Sequence, residues 1–249
     1  MQLSNLSIVT GIVLLVLIYL IYGNVSKQLT DRTYIATTYM YVFVAFLLIV
    51  LINDQSFAII DSGVKMMAVF LLALVLIIVL AIIPSENQVL KHLVWIAFIA
   101  VMAFALAPAI DLAKGQNILP KVLLTVSVMF IAMTYFAYTK PLGYFDSWAP
   151  YLFAGLIGVI VAGLSNIIFS DLNSEGFNSR DFIISIVVIL LFNGFLLYDT
   201  QKIIKEGMVL NTICVGKDNL ACADYPEKSM NVILDLMNLF TATTNAYSR

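Results

Sequence analysis

Along this chain, long apolar runs alternate with short polar breaks, and each run is close to the length needed for a helix to cross a bilayer core about 30 Å thick. Seven runs are clear: Ile8–Tyr22, Tyr34–Ile52, Val64–Ile83, Leu93–Ile110, Val122–Tyr138, Pro150–Phe169 and Phe182–Tyr198. An eighth, Met230–Tyr247, is interrupted by Asp235, Asn238, Thr241, Thr243, Thr244 and Asn245. Several breaks carry turn chemistry: Pro84-Ser85-Glu86-Asn87, Gly115-Gln116-Asn117, Pro141-Leu142-Gly143 and Asn173-Ser174-Glu175-Gly176. Gln201–Lys228 is the longest connection. The first run has no basic n-region (MQLSN) and no small-x-small site after it, so it is expected to be a retained helix and not a cleaved signal.

Composition turns this pattern into a class. Of 249 residues, 62% are hydrophobic and 11% charged, against about 45–50% and 25% in a soluble domain. The chain is therefore expected to be an all-α integral membrane protein. A net charge of −2 without a basic cluster argues against nucleic acid as a partner. Lys27, Arg32, Lys91, Lys140, Lys202, Lys205, Lys217 and Lys228 fall on one side of an eight-span arrangement. Lys65, Lys114, Lys121, Arg180 and Arg249 fall on the other. This mild bias assigns the Gln201–Lys228 connection to the cytosol, where Cys214 and Cys222 would be ordinary thiols; a disulfide requires an oxidising side.

Within the spans, Ala154, Gly158 and Ala162 recur every four residues and read as a stripe for close helix packing. Two carboxylates are different. Asp199 closes the seventh run and Asp235 lies two turns inside the eighth. The two helices are antiparallel neighbours in sequence, so the carboxylates can lie at similar depth. On the last helix, Asn231, Asp235, Asn238, Ala242 and Asn245 share one stripe, opposite the mostly apolar Ile233, Leu236, Leu239 and Phe240. Such a stripe is expected to face a hydrated cavity or polar partners. On the seventh helix, Ser185 lies within about 40° of Asp199, and Asn193 does not share that face. Two facing carboxylates in a low-dielectric site would not both ionise easily and would titrate as one coupled pair. A shared proton would tie their helices together, and its loss or exchange for a cation would release them. Tight Ca²⁺ binding needs about 6–8 oxygens, so the pair suits weak, transit-type contact supported by Asn238 and water.

The segments YLFAGLIGVIVAGLSNIIF (Tyr151–Phe169), FNGFLLYDTQKII (Phe192–Ile204) and SMNVILDLMNLF (Ser229–Phe240) resemble the Bax inhibitor-1 family, and the likeness extends over about Arg32–Arg249. The resemblance implies a seven-helix bundle over residues 32–249, preceded by one extra N-terminal transmembrane helix and linker over residues 1–31. It implies a pH-sensitive calcium leak gated by Asp199 and Asp235; Tyr198, Ser185, Asn231, Asn238 and Asn245, placed by their own helix positions, are the expected supporting or pore-lining residues. Ca²⁺ would be a permeant or weakly bound ion, with no other cofactor. The expected setting is an internal membrane in a eukaryote or the plasma membrane of a bacterium, and eukaryotic members protect against cell death and stress. Partners would be lipid, Ca²⁺, H⁺ and other membrane proteins. One bacterial member pairs an arginine with the aspartates. The corresponding stretch here, AIIPSENQVLKH, has none, and Lys91 is the substitute on offer.

Other classes fit less well. An intramembrane aspartyl protease shares the Tyr-Asp dipeptide, but Asp235 follows Val-Ile-Leu where that class has Gly-x-Gly, and no Pro-Ala-Leu follows. The single histidine, His92, and the lack of a GxSxG elbow argue against a serine protease. No enzyme is expected. His92 reads as an interfacial residue and Asp31-Arg32 as a solvated pair before a helix. A regulator that conducts nothing and acts through protein contacts is the chief rival to the channel.

Overall fold

The computed structural model describes residues 11, 15–16, 18–23, 29–54, 63–169, 177–215 and 219–248. The expected N-terminal helix Ile8–Tyr22 lies largely outside them; residues 18–23 are helical. The described chain is all-helical: α1 Asp31–Asp54, α2 Gly63–Ile82, α3 Gln88–Gly115, α4 Leu119–Thr139, a 3₁₀ turn Asp146–Trp148, α5 Ala149–Phe169, α6 Phe177–Ile213, α7 Asn219–Cys222 and α8 Tyr225–Tyr247. Five stretches among the described residues are long and apolar enough to cross a membrane: Arg32–Asn53, Lys65–Ile82, Gln88–Gly115, Leu119–Thr139 and Phe182–Ile213. That apolar content makes the chain a multi-pass membrane protein.

The turn residues act as their chemistry dictates. Asn117 ends α3 in the left-handed region (φ 57), and Ile118 N–H closes back on the Ala113 carbonyl at 2.9 Å. Pro120 then opens α4, where a missing N–H costs nothing. At the other end of α4, Gly143 takes φ 79 and Tyr144 N–H reaches the Pro141 carbonyl, a turn that needs glycine at this position.

Two readings of the sequence are corrected. The connection Gln201–Lys228 is mostly helix, because α6 runs on to Ile213. At 37 residues α6 is about 55 Å long, well beyond the bilayer core. Its extension buries Ile203, Ile204 and Gly207, so amphipathic packing carries the helix past the last lipid-suited residue. Second, Ala154 and Gly158 are exposed, and nothing lies within 4 Å of a Cβ built on Gly158. The close approach uses Gly155 and Gly194 instead. A Cβ on Gly155 would meet Leu191 at 2.8 Å, and one on Gly194 would meet Leu152 at 2.7 Å. Each leucine fills the other helix's glycine notch, which sets α5 antiparallel to α6.

Contacts divide the chain into two compact units: Met1–Ala107 with Ile203–Ile233, and Pro108–Lys202 with Leu234–Arg249. In the first, α1 runs parallel to α3, held by Tyr41 on His92 and by Asn53 Nδ2 donating to the Ala103 carbonyl. In the second, α6 runs parallel to α4. Asn193 on Met129 and Gln201 on Ala137 share one offset of 64 residues. The C-terminal end of α8 is pinned to the start of α4 by Tyr247, which bonds the Thr125 hydroxyl at 3.0 Å and lies under the Lys121 ammonium. Tyr138, Tyr144, Trp148 and Tyr151 are exposed around the opposite end of α4, with Lys140 half-buried among them, an aromatic belt of the kind that marks a membrane–water interface.

Candidate functional site

These registers fix the depth of the two carboxylates within the second unit. The α4–α6 offset sets Asp199 level with Tyr135. Counting back along α8 from its Tyr247 anchor sets Asp235 between Met133 and Ala137, the same level. The two carboxylates interact electrostatically. Asp235 is 4% exposed and its Oδ2 has no hydrogen-bond partner. Asp199 is half-buried.

What holds Asp199 at that level is Gln201, two residues on. Although they follow the last apolar residue of the run, Thr200 and Gln201 are buried. Gln201 Nε2 donates to the carbonyls of Ala137 (3.2 Å) and Pro141 (3.0 Å), and its Oε1 accepts from Phe145 N–H (3.3 Å). The side chain therefore replaces the hydrogen bonds that the α4–α5 turn cannot make for itself. Beneath it, Ala137, Phe145 and Leu197 pack together with Met133 and Tyr198, so Tyr198 serves this cluster. Ser185 is buried nearly four turns before Asp199 on the same helix. Asn193 donates to the Ile189 carbonyl of its own helix at 2.7 Å.

The stripe on α8 splits in two. Asn231, Asn238 and Asn245 are half-buried together with Leu234 and Thr241, and form the accessible side of the helix. Asp235 is turned about 80° from the middle of that side, toward the enclosed face. Asn238 Nδ2 donates to the Leu234 carbonyl at 2.8 Å. Buried Val232, Ile233, Leu236, Met237, Leu239 and Phe240 close the rest, so the least apolar of the long helices is among the most enclosed.

The first unit holds a second polar cluster that sequence reasoning missed. Lys91, only 3% exposed, donates to the Ile83 carbonyl at 2.8 Å and forms an ion pair with Asp224, with Glu227 at 3.6 Å. Lys228 pairs with Glu206 at 3.2 Å and Glu227 at 3.4 Å. Asp224 also caps α8, accepting from Glu227 N–H at 3.1 Å. The signal was in the sequence: Asp224-Tyr225-Pro226-Glu227 is a helix start with an N-cap acid, an early proline and an acid at the third position. So the ion pairs of Lys91 are to Asp224 and Glu227. Asp224 lies outside the span, and burial pushes its carboxyl up from the ordinary range while Lys91 pulls it back. Around this cluster, Tyr41 stacks on Tyr225 at 5.7 Å, and Trp95 Nε1 donates to Ser229 Oγ at 3.0 Å. His92 Nδ1 faces the Gln88 carbonyl, which can only accept, so in the neutral ring Nε2 accepts from Tyr41 hydroxyl at 2.7 Å. Cys214 and Cys222 form a disulfide, with Cα atoms 5.9 Å apart, where separate thiols were expected.

A family model described as inhibitor of apoptosis-promoting Bax1 matches residues 27–245. The chain belongs to the Bax inhibitor family. It is 28% identical over 164 residues to a Vibrio cholerae protein described as an uncharacterized membrane protein, a match covering 64% of each chain. It is 33% identical over 111 residues to a Borreliella burgdorferi protein described as uncharacterized, covering 45% of this chain and 43% of that one. The chain thus spans less than two thirds of the length of either relative. Family membership agrees with the helical, multi-pass architecture, and Asp199 and Asp235 both lie in the second unit.

Proposed function

We propose that this Bax inhibitor family member is a pH-sensitive calcium-leak channel of an intracellular or bacterial-type membrane, gated by Asp199 and Asp235. The observation that carries the reading is their common depth, one half-buried and one enclosed. Buried ionisable groups in membrane helices mark ion or proton paths more often than scaffolding. A proton held between the two carboxylates keeps α6 and α8 together, and an arriving cation competes for the same oxygens. Asn238 and Asn245, on the accessible side of α8, are the hydrated neighbours a passing ion would meet. In a eukaryotic host, a slow leak of this kind would underlie protection against stress and cell death.

The test is reconstitution in liposomes loaded with a calcium indicator, read across pH 5–8. The proposal expects Ca²⁺ entry that depends on pH. Liposomes that stay tight at every pH would contradict it and favour a regulator acting through protein contacts.

A further inference from the structure

We propose that Cys214 and Cys222 form a redox-sensitive strap that sets how firmly the first turn of α8 is held. Cys214 sits at the end of α6 and is 4% exposed; Cys222 ends α7 and is half-buried, so a small reagent reaches it first. Two residues beyond Cys222 stands Asp224, whose carboxylate both caps α8 and neutralises buried Lys91. A buried ion pair is favourable only while its geometry is held, and the disulfide fixes the backbone that brings Asp224 to that place. Opening it leaves Asp224 tethered by its own contacts alone. Lys91 then keeps Glu227, which is farther away and shared with Lys228.

The chemistry is thiol–disulfide exchange with a small-molecule disulfide such as oxidised glutathione. The Cys222 thiolate attacks one glutathione sulfur, forming a mixed disulfide and releasing one glutathione thiol. The Cys214 thiolate then attacks the Cys222 sulfur and releases the second. Two protein thiols give up two protons and two electrons and one S–S bond forms; the glutathione S–S bond breaks and takes up both electrons and both protons.

Trp95 reports the state of this turn, because its indole N–H bonds Ser229 on α8. Only one other tryptophan, Trp148, needs to be removed. The experiment uses full-length Trp148→Phe protein in lipid nanodiscs, equilibrated in a series of glutathione buffers. Alkylation and mass spectrometry count the thiols, and Trp95 emission is read in parallel. The expected result is a pair half-oxidised within the series, with Trp95 emission red-shifted and more readily quenched by acrylamide on reduction. Cys214→Ser/Cys222→Ser protein should show the reduced emission in every buffer. Unchanged Trp95 emission across a confirmed thiol–disulfide conversion would overturn the proposal, as would a pair that stays oxidised, or stays reduced, throughout the series. The strap does not rest on the channel reading: a Trp95 response in protein that passes no Ca²⁺ upholds the strap and fails the channel.

Discussion

At the scale of single side chains, Gln201 uses both ends of its amide on the α4–α5 turn, two residues from Asp199. Removing it strands the buried Ala137 carbonyl and the Phe145 N–H at once, and each buried unsatisfied group costs about 1–3 kcal/mol. Gln201→Leu should therefore lower stability by about 2–4 kcal/mol. Gln201→Glu should be worse, because it keeps the acceptor for Phe145 but sets a carboxylate against carbonyl oxygens. Thermal unfolding in detergent checks both, and unfolding temperatures equal to wild type would contradict the clasp. Asp199 and Asp235 were legible in the sequence because a carboxylate in an apolar run violates the hydropathy pattern. Gln201 was not, since a glutamine after the last apolar residue is what a solvated helix end also looks like; only the turn it serves, some 60 residues earlier, distinguishes the two.

At the scale of helices, the buried pair of Lys91 and Asp224 ties the start of α3 to the start of α8. Its two halves should not be equivalent. Without Lys91, Asp224 can take a proton, because burial already raises its carboxyl. Its charged form is then penalised above the folded-state pKa, and the penalty fades as pH falls toward the unfolded value. Lys91→Met should accordingly cost less stability at pH 5 than at pH 8. Asp224→Asn keeps a capping side chain but leaves a buried ammonium short of its counter-ion, and should cost about 3–5 kcal/mol at neutral pH. Denaturant or thermal unfolding at the two pH values measures both, and a Lys91→Met penalty that grows on acidification would refute the assignment. The glycine notches make a second contrast. Gly158→Ala should be neutral or stabilise by up to about 1 kcal/mol through helix propensity. Gly194→Ala must displace Leu152 and should cost about 1–3 kcal/mol through overpacking. The sequence shows small residues at helical spacing on α5, but which of two adjacent stripes packs depends on the leucines opposite, and no local pattern carries that.

At the scale of the whole molecule, the apolar runs predicted the positions of the long helices well, because lipid imposes one secondary structure on an isolated span. They misjudged where α6 ends, because outside the bilayer an amphipathic face sustains a helix that hydropathy no longer marks. The two halves of the polar chemistry differ in the same way. Asp199 and Asp235 break a rule of the membrane interior and so announce themselves. The Lys91–Asp224 pair and the Cys214–Cys222 disulfide use residues ordinary in any connection, and their meaning lies in long-range contact. The central claim is that Asp199 and Asp235 act as one unit. It is tested most directly by Ca²⁺ entry into liposomes at pH 5–8 for wild type, Asp199→Asn, Asp235→Asn and the double variant. Either single substitution should abolish most of the pH dependence, with the double variant no different from the singles, because a shared proton is lost once. A double variant whose effect is the sum of two independent ones, or singles that keep the wild-type pH profile, would contradict the account.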